Sequence, residues 1–419
     1  MQVTNPPAGS HLLSVLEPLT KTEPLLRAEL FGVDEMEAHG THLAMRHTLS
    51  PQRTTNRLLL RLGDNERALL DNCKVLMATV VAKGRIAPAG EWLLDNFHLI
   101  AEQIRTARAH LPRNYSRELP CLADGESAGL PRVYELALEA VAHGDGCIEA
   151  ETLARFISAY QAVTPLTLGE LWALPIMLRL ALIENLRRVS LYVARTRALV
   201  NLAQEWSSRM IAVAEHDPKS LILVIADMAR SNPPLESSFV AELVRRLQGH
   251  GPALALPLTW IEQRLAEESQ SIDQMVTAEN RQQAMDQVSI SNSIGSLRFI
   301  GAMDWKQYVE SLSVVEQTLR ADPMAMHAGQ DFATRDRYRH VIEDVARSSP
   351  CSELAVARKA IALAQAAAGR VGGGRGRRLR DDLRLRRFAG PPGGVGPLGP
   401  HHPARLPAGR VVRLGRITP

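Results

Sequence analysis

Lysine is nearly missing from this chain: of 49 basic residues only six are lysines. That skew matches a GC-rich coding sequence and implies no function. Aromatic side chains make up 4% of the residues, too few for a β-rich core and suited to helices packed through Leu and Ala. Cysteine is equally sparse. Cys73, Cys121, Cys147 and Cys351 form no CxxC pair, which excludes a disulfide framework and points to reduced thiols in a cytosolic protein. No window approaches the ~18 uncharged apolar residues that a membrane span requires. No basic segment followed by an apolar one opens the chain, so no signal peptide is expected. No Asp-x-Asp occurs, and nucleotide-sugar transfer needs such a metal-chelating cluster to neutralise the leaving diphosphate. Gln-x-x-Arg-Trp, which processive synthases place beside membrane spans, is absent too.

What is present is helical periodicity. The richest stretch runs from Thr167 to Arg188. Thr167 and Glu170 have capping-box spacing, an acid opens the first turn and two arginines close the last. Apolar residues fall on every face between them, so the helix is expected to be buried by neighbours. Pro175 is expected to kink or restart it, with a further helix from Ser190 to about Glu215. The charged Arg179 makes it a core helix and a poor span.

Before it, the pattern predicts helix from Pro24 to Phe31, then a helix near Asp34 to Leu43. One or two helices follow from Pro51 to Lys83, with Gly84 as the C-terminal cap. A single segment over Pro88–His110 ends at Leu111-Pro112. Pro131 to Ala142 starts with an N1 proline, and Glu149 to Val163 follows. After the central helix, Asp217-Pro218 opens a segment whose Leu221–Ile225 pentamer fits a helix, with a short strand as the alternative. Ser237–Gln248, Leu258–Ser291, two segments within Ser293–Arg320, Thr334–Ser348 and Glu353–Ala368 complete the body. The fold class is all-α, a multi-helix bundle or a solenoid-like array of helix hairpins. The expected organisation is a flexible N-terminus over 1–23, a helical subdomain over 24–112, a main helical domain over 113–366 and a disordered basic tail over 367–419.

The tail changes the meaning of the net charge. The formal charge is +4, but residues 368–419 hold twelve arginines, no lysine and two aspartates, so the tail carries +10 and the body −6. The body therefore offers no argument for nucleic acid or anionic lipid. Gly, Arg and Pro dominate from Gly369, a composition that cannot bury enough surface to order itself. It fits either a native basic tail or a reading-frame change in GC-rich DNA.

Few residue groups carry chemistry. Gly372-Gly-Gly-Arg-Gly376 lacks the preceding strand and following Lys-Ser/Thr of a phosphate loop. His401-His402 is a non-specific pair of metal ligands. Asp95, His98 and Glu102 fall at helical spacing and read as a solvated face. His143, Asp145 and Cys147 share a turn, but no orienting third group for a Cys/His nucleophile can be named. Asp331–His340 is dense in groups that could bind a sugar phosphate, but reads first as a charged helix start capped by Thr334 and making salt bridges. No catalytic residue, cofactor site or metal site is assigned. The interaction surface read from the sequence consists of Tyr115, Arg117, Glu118, Asp331, Arg335, Asp336, Arg337 and Tyr338.

Ordered blocks then suggest a relationship. Trp92-Leu-Leu-Asp-Asn-Phe-His98, Tyr115-Ser-Arg-Glu-Leu-Pro120, Gly129-Leu-Pro-Arg-Val-Tyr134, Leu166-Thr-Leu-Gly-Glu-Leu-Trp172, Glu184-Asn-Leu-Arg-Arg188, Gln287–Arg298, Ser313-Val-Val-Glu-Gln317 and Asp331–Arg339 resemble the amino-terminal region of cyclic β-1,2-glucan synthases. The match covers roughly residues 25–366; the tail does not match. The resemblance implies a large inner-membrane enzyme of Gram-negative bacteria that builds and cyclises β-1,2-glucan from UDP-glucose. Its transferase core, membrane spans and phosphorylase-like domain would lie downstream of the matched region, so no catalytic residue carries over. The expectation is a non-catalytic, cytosol-facing helical module, truncated before its catalytic parts and inactive alone. Its partners would be the missing transferase and membrane domains, with β-1,2-glucan a candidate ligand. The alternative is an independent helical protein-interaction scaffold.

Overall fold

The Thr167–Glu170 capping box forms as its spacing requires. Thr167 Oγ1 accepts from the Glu170 amide, and Glu170 Oε2 accepts from the Thr167 amide at 2.8 Å. The computed structural model of the protein describes residues 23–50, 57–82, 84–111 and 118–371. Among them are fifteen α-helices and no strand, only two isolated bridges, Leu49 with Leu122 and Cys121 with Pro131. The all-α class read from the sequence is correct.

In chain order the helices are α1 Val33–Arg46, α2 Arg57–Val81, α3 Pro88–Asp95, α4 Phe97–His110, α5 Arg132–His143, α6 Ala150–Val163, α7 Leu168–His216, α8 Leu221–Ser231, α9 Ser237–Leu247, α10 Ala255–Glu267, α11 Ile272–Ala302, α12 Trp305–Leu312, α13 Val314–Leu319, α14 Phe332–Arg347 and α15 Glu353–Val371. Two compact units divide the chain, Met1–Ala362 and Leu363–Pro419. The central helix α7 is 49 residues long, and α2, α5, α9 and α11 pack along it. Its first half contributes Leu171, Leu174, Met177, Leu178, Leu182, Ile183 and Leu186 to one core. Its second half contributes Leu199, Leu202, Trp206 and Met210 to another, closed by α8, α9 and α10. A small third cluster joins Val315, Leu319, Ile342 and Ala357. No helix among the described residues is long and apolar enough to cross a membrane.

Several sequence expectations need correction. Residues 24–32 are extended, not helical. Their backbone groups bond across the fold: Ala28 N–H to the Ala142 carbonyl, Phe31 N–H to the His143 carbonyl, and the Pro24 carbonyl to Arg188. These contacts take the donors and acceptors that a helix would use internally. The first helix starts from Gly32, whose amide donates to Glu35 at 2.7 Å; Asp34 lies inside it. Pro88–His110 is two helices, broken at Asn96, whose side chain caps the Trp92 carbonyl and accepts from Arg298 at 2.7 Å. Pro131 is the N-cap residue of α5, not its first helical residue. Pro175 does not restart α7, which runs unbroken into the segment expected to be separate. Residues 258–291 split between α10 and α11, with Ser269 at φ 57° and Ser271 capping α11. The Leu221–Ile225 pentamer is helical, so the strand alternative falls. Asp331, not Thr334, caps α14. Residues 1–22, 51–56, 112–117 and 372–419 and Lys83 lie outside the described residues, and with them all but the last residue of the expected flexible N-terminus and the expected disordered tail from 372 on. The first five residues of that expected tail, 367–371, are instead the helical end of α15.

Close approach of α1 and α6 depends on Gly40. A Cβ there would stand 2.6 Å from the Phe156 carbonyl oxygen. Alanine's better helix propensity is worth about 1 kcal/mol, whereas overpacking a close contact costs about 1–3 kcal/mol. We expect Gly40→Ala to lower stability by about 1 kcal/mol on that balance. Urea unfolding measures it, and a raised midpoint would contradict the account.

Candidate functional site: charged networks and an arginine-lined cleft

The charged run at 331–340 becomes a structural brace. Asp331 Oδ1 accepts from the Thr334 amide at 3.0 Å and starts α14. The helix then directs two arginines at the acidic α12–α13 corner. Arg335 pairs with Glu310, at 3.0 Å through Nε and 2.8 Å through Nη2. Arg339, 2% exposed, donates to Glu310 at 2.6 Å and to Glu316 at 2.8 Å, with Asp336 at 3.0 Å. Arg320 and His327 also bond Glu316, whose side chain is fully buried. Burial alone would push the Glu316 carboxyl up; hydrogen bonds from His327, Arg320 and Arg339 outweigh it and hold it at about 2. The Glu310 carboxyl is lowered in the same way, burial being overcome by Arg335 and Arg339.

The rest of the interaction surface read from the sequence does not converge. Tyr115 and Arg117 lie outside the described residues. Glu118 is exposed and 3.7 Å from Arg347. Arg337 is exposed, and the Tyr338 ring lies 5.9 Å from that of His327. Asp95, His98 and Glu102 are exposed, and the break at Asn96 puts Asp95 on another helix. In the 143–147 turn the three groups diverge. Asp145 accepts from Arg27 at 3.1 Å. His143 bonds the Glu29 carbonyl and pairs with Glu139. Cys147 is an exposed thiol kept protonated by partial burial and Glu149. No Cys/His nucleophile pair exists there. Gly372–Gly376 and His401-His402 lie outside the described residues.

The sequence reading passed over the concave feature. A cleft of about 400 Å³ is lined by Glu23, Arg57, Leu60, Arg61, Asp64, Asn65, Ala68, Glu184 and Arg187. Its floor is Glu184, on α7, with a fully buried side chain. Arg61 grips both carboxylate oxygens, at 3.0 and 2.7 Å, the bidentate geometry that a guanidinium favours. Asn65 adds a bond at 2.8 Å, Arg187 one at 3.0 Å and Arg188 one at 2.9 Å. Glu23 reaches over from the extended N-terminal segment to Arg187 and, at 3.3 Å, to Arg188. Burial would raise the Glu184 carboxyl; Arg61, Arg187 and Asn65 hold it at about 2. The Glu184–Arg188 block was visible in the sequence, but its partner Arg61 lies 123 residues away. A second buried pair, Arg132 with Glu170 at 2.6 and 2.7 Å, ties α5 to the capping box of α7.

Among the described residues, burial pushes up the carboxyls of Asp286 and Glu353, each to about 6, and raises that of Glu135 as well. Asp286 and Glu353 do not form an acid/base pair. Asp286 on α11 accepts from Gln282 and sits 3.7 Å from Arg27. Glu353 accepts from the Leu168 amide at the start of α7.

No family model matches the chain. Over 343 residues it is 33% identical to the cyclic β-(1,2)-glucan synthase NdvB of Rhizobium meliloti. The aligned part covers 82% of this chain and 12% of that protein. The chain is thus similar, over most of its length, to one segment of a far longer cyclic β-1,2-glucan synthase, and the resemblance drawn from the ordered blocks holds.

Proposed function

We propose that the chain acts as a non-catalytic helical module of a cyclic β-1,2-glucan synthase. On this reading it stands on the cytosolic side and packs against the transferase and membrane-spanning parts of that enzyme, which draw on UDP-glucose. The observation that carries the reading is the 33% identity to a segment that makes up 12% of such a synthase. The state of the carboxylates supports it. Glycosyl transfer needs a base matched to its task and a cation on the leaving diphosphate. Here Glu184 and Glu316 are held at about 2 by arginines, which makes them weak bases. Asp286 and Glu353 hold a proton more readily, but Asp286 is 3% exposed and Glu353 is committed to the Leu168 amide at the start of α7.

The cleft is the surface that we assign to β-1,2-glucan. Arg57, Asp64 and Asn65 line its wall, and planar charged and amide groups hydrogen-bond vicinal hydroxyls. In affinity electrophoresis, β-1,2-glucan should retard the chain, and Asp64→Ala should weaken that retardation. Equal mobility with and without glucan would remove this assignment and leave the module reading standing.

The module reading has its own test. The purified chain, given radiolabelled UDP-glucose and Mg²⁺, should release no UDP above blank. Expressed beside a Rhizobium meliloti synthase lacking the matching segment, the chain should restore cyclic glucan to cell extracts. UDP release by the chain alone would overturn the non-catalytic role. A folded chain that restores nothing would overturn the module role.

A further inference from the structure

His39 on α1 and Glu139 and His143 on α5 meet beside the extended N-terminal segment. Glu139 and His143 are one helical turn apart and share a face. His39 Nε2 lies 2.8 Å from Glu139 Oε2, and His143 Nε2 lies 3.3 Å from the same oxygen. All three atoms fall within 4.8 Å of one another. The side chains are 16%, 25% and 11% exposed, so the group is largely buried without being sealed from solvent.

The hydrogen bond behind His143 decides what this group can hold. His143 Nδ1 stands 2.6 Å from the Glu29 carbonyl oxygen. A carbonyl only accepts, so Nδ1 carries the proton and donates. Nε2 then faces a carboxylate oxygen either with a second proton or with a lone pair. Lone pair against carboxylate is repulsive, so a cation, proton or metal, belongs between them. Backbone bonding of the distal ring nitrogen is also how metal-binding histidines are oriented. Phe31 stacks on His143 at 3.9 Å, and Phe156 stacks on His39 at 6.2 Å. These rings fix the imidazoles and lower the local dielectric.

We propose that His39, Glu139 and His143 form a divalent-metal site of the zinc type, with two imidazoles and one carboxylate from the protein and an open position toward solvent. Zn–N and Zn–O bonds of about 2.0–2.2 Å place tetrahedral ligand atoms roughly 3.3–3.5 Å apart. The His143–Glu139 separation meets that spacing as it stands, the His39–Glu139 one would lengthen by about 0.5 Å, and the two imidazole nitrogens, within 4.8 Å of one another, would close on the metal. The metal would staple α1 to α5, joining an element near the chain start to one about a hundred residues later. This site is independent of the proposed role in glucan synthesis.

Calorimetric titration of the chelator-treated full chain with zinc chloride tests it. The expected result is one equivalent bound, with affinity at least ~10-fold weaker in His39→Gln, His143→Gln and Glu139→Gln. Thermal melts without metal establish that each variant is folded. Absence of binding, or binding unchanged in folded variants, overturns the proposal; in the second case the metal sits elsewhere, for instance on His401 and His402. Should the variants not fold, cobalt(II) absorption of the unaltered chain decides. Intense visible bands of a tetrahedral nitrogen and oxygen site support the assignment. The weak spectrum of an octahedral aquo-ion overturns it.

Discussion

Replacing Glu184 with leucine should cost about 3–5 kcal/mol, the loss observed when one partner of a buried ion network is removed. Glu184 is the sole fully buried carboxylate among Arg61, Arg187 and Arg188, which bond it at 2.7–3.0 Å. Leucine fills most of the space but leaves three guanidiniums facing one another. Glu23 is half exposed and already shared by all three of them, so it cannot neutralise the set. Urea unfolding at constant slope reads the loss as a lower midpoint. The effect should persist in high salt, because charges buried this deeply are little screened. A loss below about 1 kcal/mol would place the pair in the class of surface bridges and remove the argument that it holds α2 to α7.

How much of this could be read along the chain depends on the range of the interactions. Thr167 and Glu170 are three residues apart, and their box was legible; the second partner of Glu170, Arg132, lies 38 residues upstream and was not. The break at Asn96 was hidden because apolar spacing continues through it from Leu93 to Phe97 and Ile100. The break is set by Arg298, 202 residues away. Pro175 carries a strong local signal for interruption, yet tertiary burial on all sides of α7 outweighs one missing backbone bond. The stretch 24–32 has helical apolar spacing, and cross-fold backbone bonds keep it extended. Charged groups were read least well. A dense run such as Asp331–His340 has one appearance whether it binds a ligand or matches Glu310 and Glu316, and only the fold distinguishes them. The His39–Glu139–His143 group left one local trace, the Glu139/His143 spacing, because His39 joins it from 100 residues away.

Mild acid should do to the unaltered protein what the Glu184 substitution does, and at a second place as well. Glu184 and Glu316 are both held at about 2 in the folded chain, against 4.5 for a free glutamate. A carboxyl with a lowered folded value stabilises the fold above its unfolded value and loses that contribution as pH falls through the folded one. The window is therefore from about 4.5 down to about 2. Linkage limits each group to about 3 kcal/mol, and screening by nearby solvent reduces the sum to on the order of 4 kcal/mol. The opposite sign applies to His340, raised to about 10 first by Asp336 and then by Glu343; its contribution is present below 6.5 and fades on the alkaline side, and because the ring is half exposed it is minor. The stability profile should thus fall steeply on the acid limb and gently on the alkaline one. Glu139, bonded by His143 and His39, is also held at about 2, so Glu184→Gln lacks one of three carboxyls titrating in this window and its acid limb should be shallower by about a third. Equal acid slopes in the two proteins would mean that some other carboxylate governs acid unfolding, and that the arginine cage around Glu184 is not what sets its proton affinity.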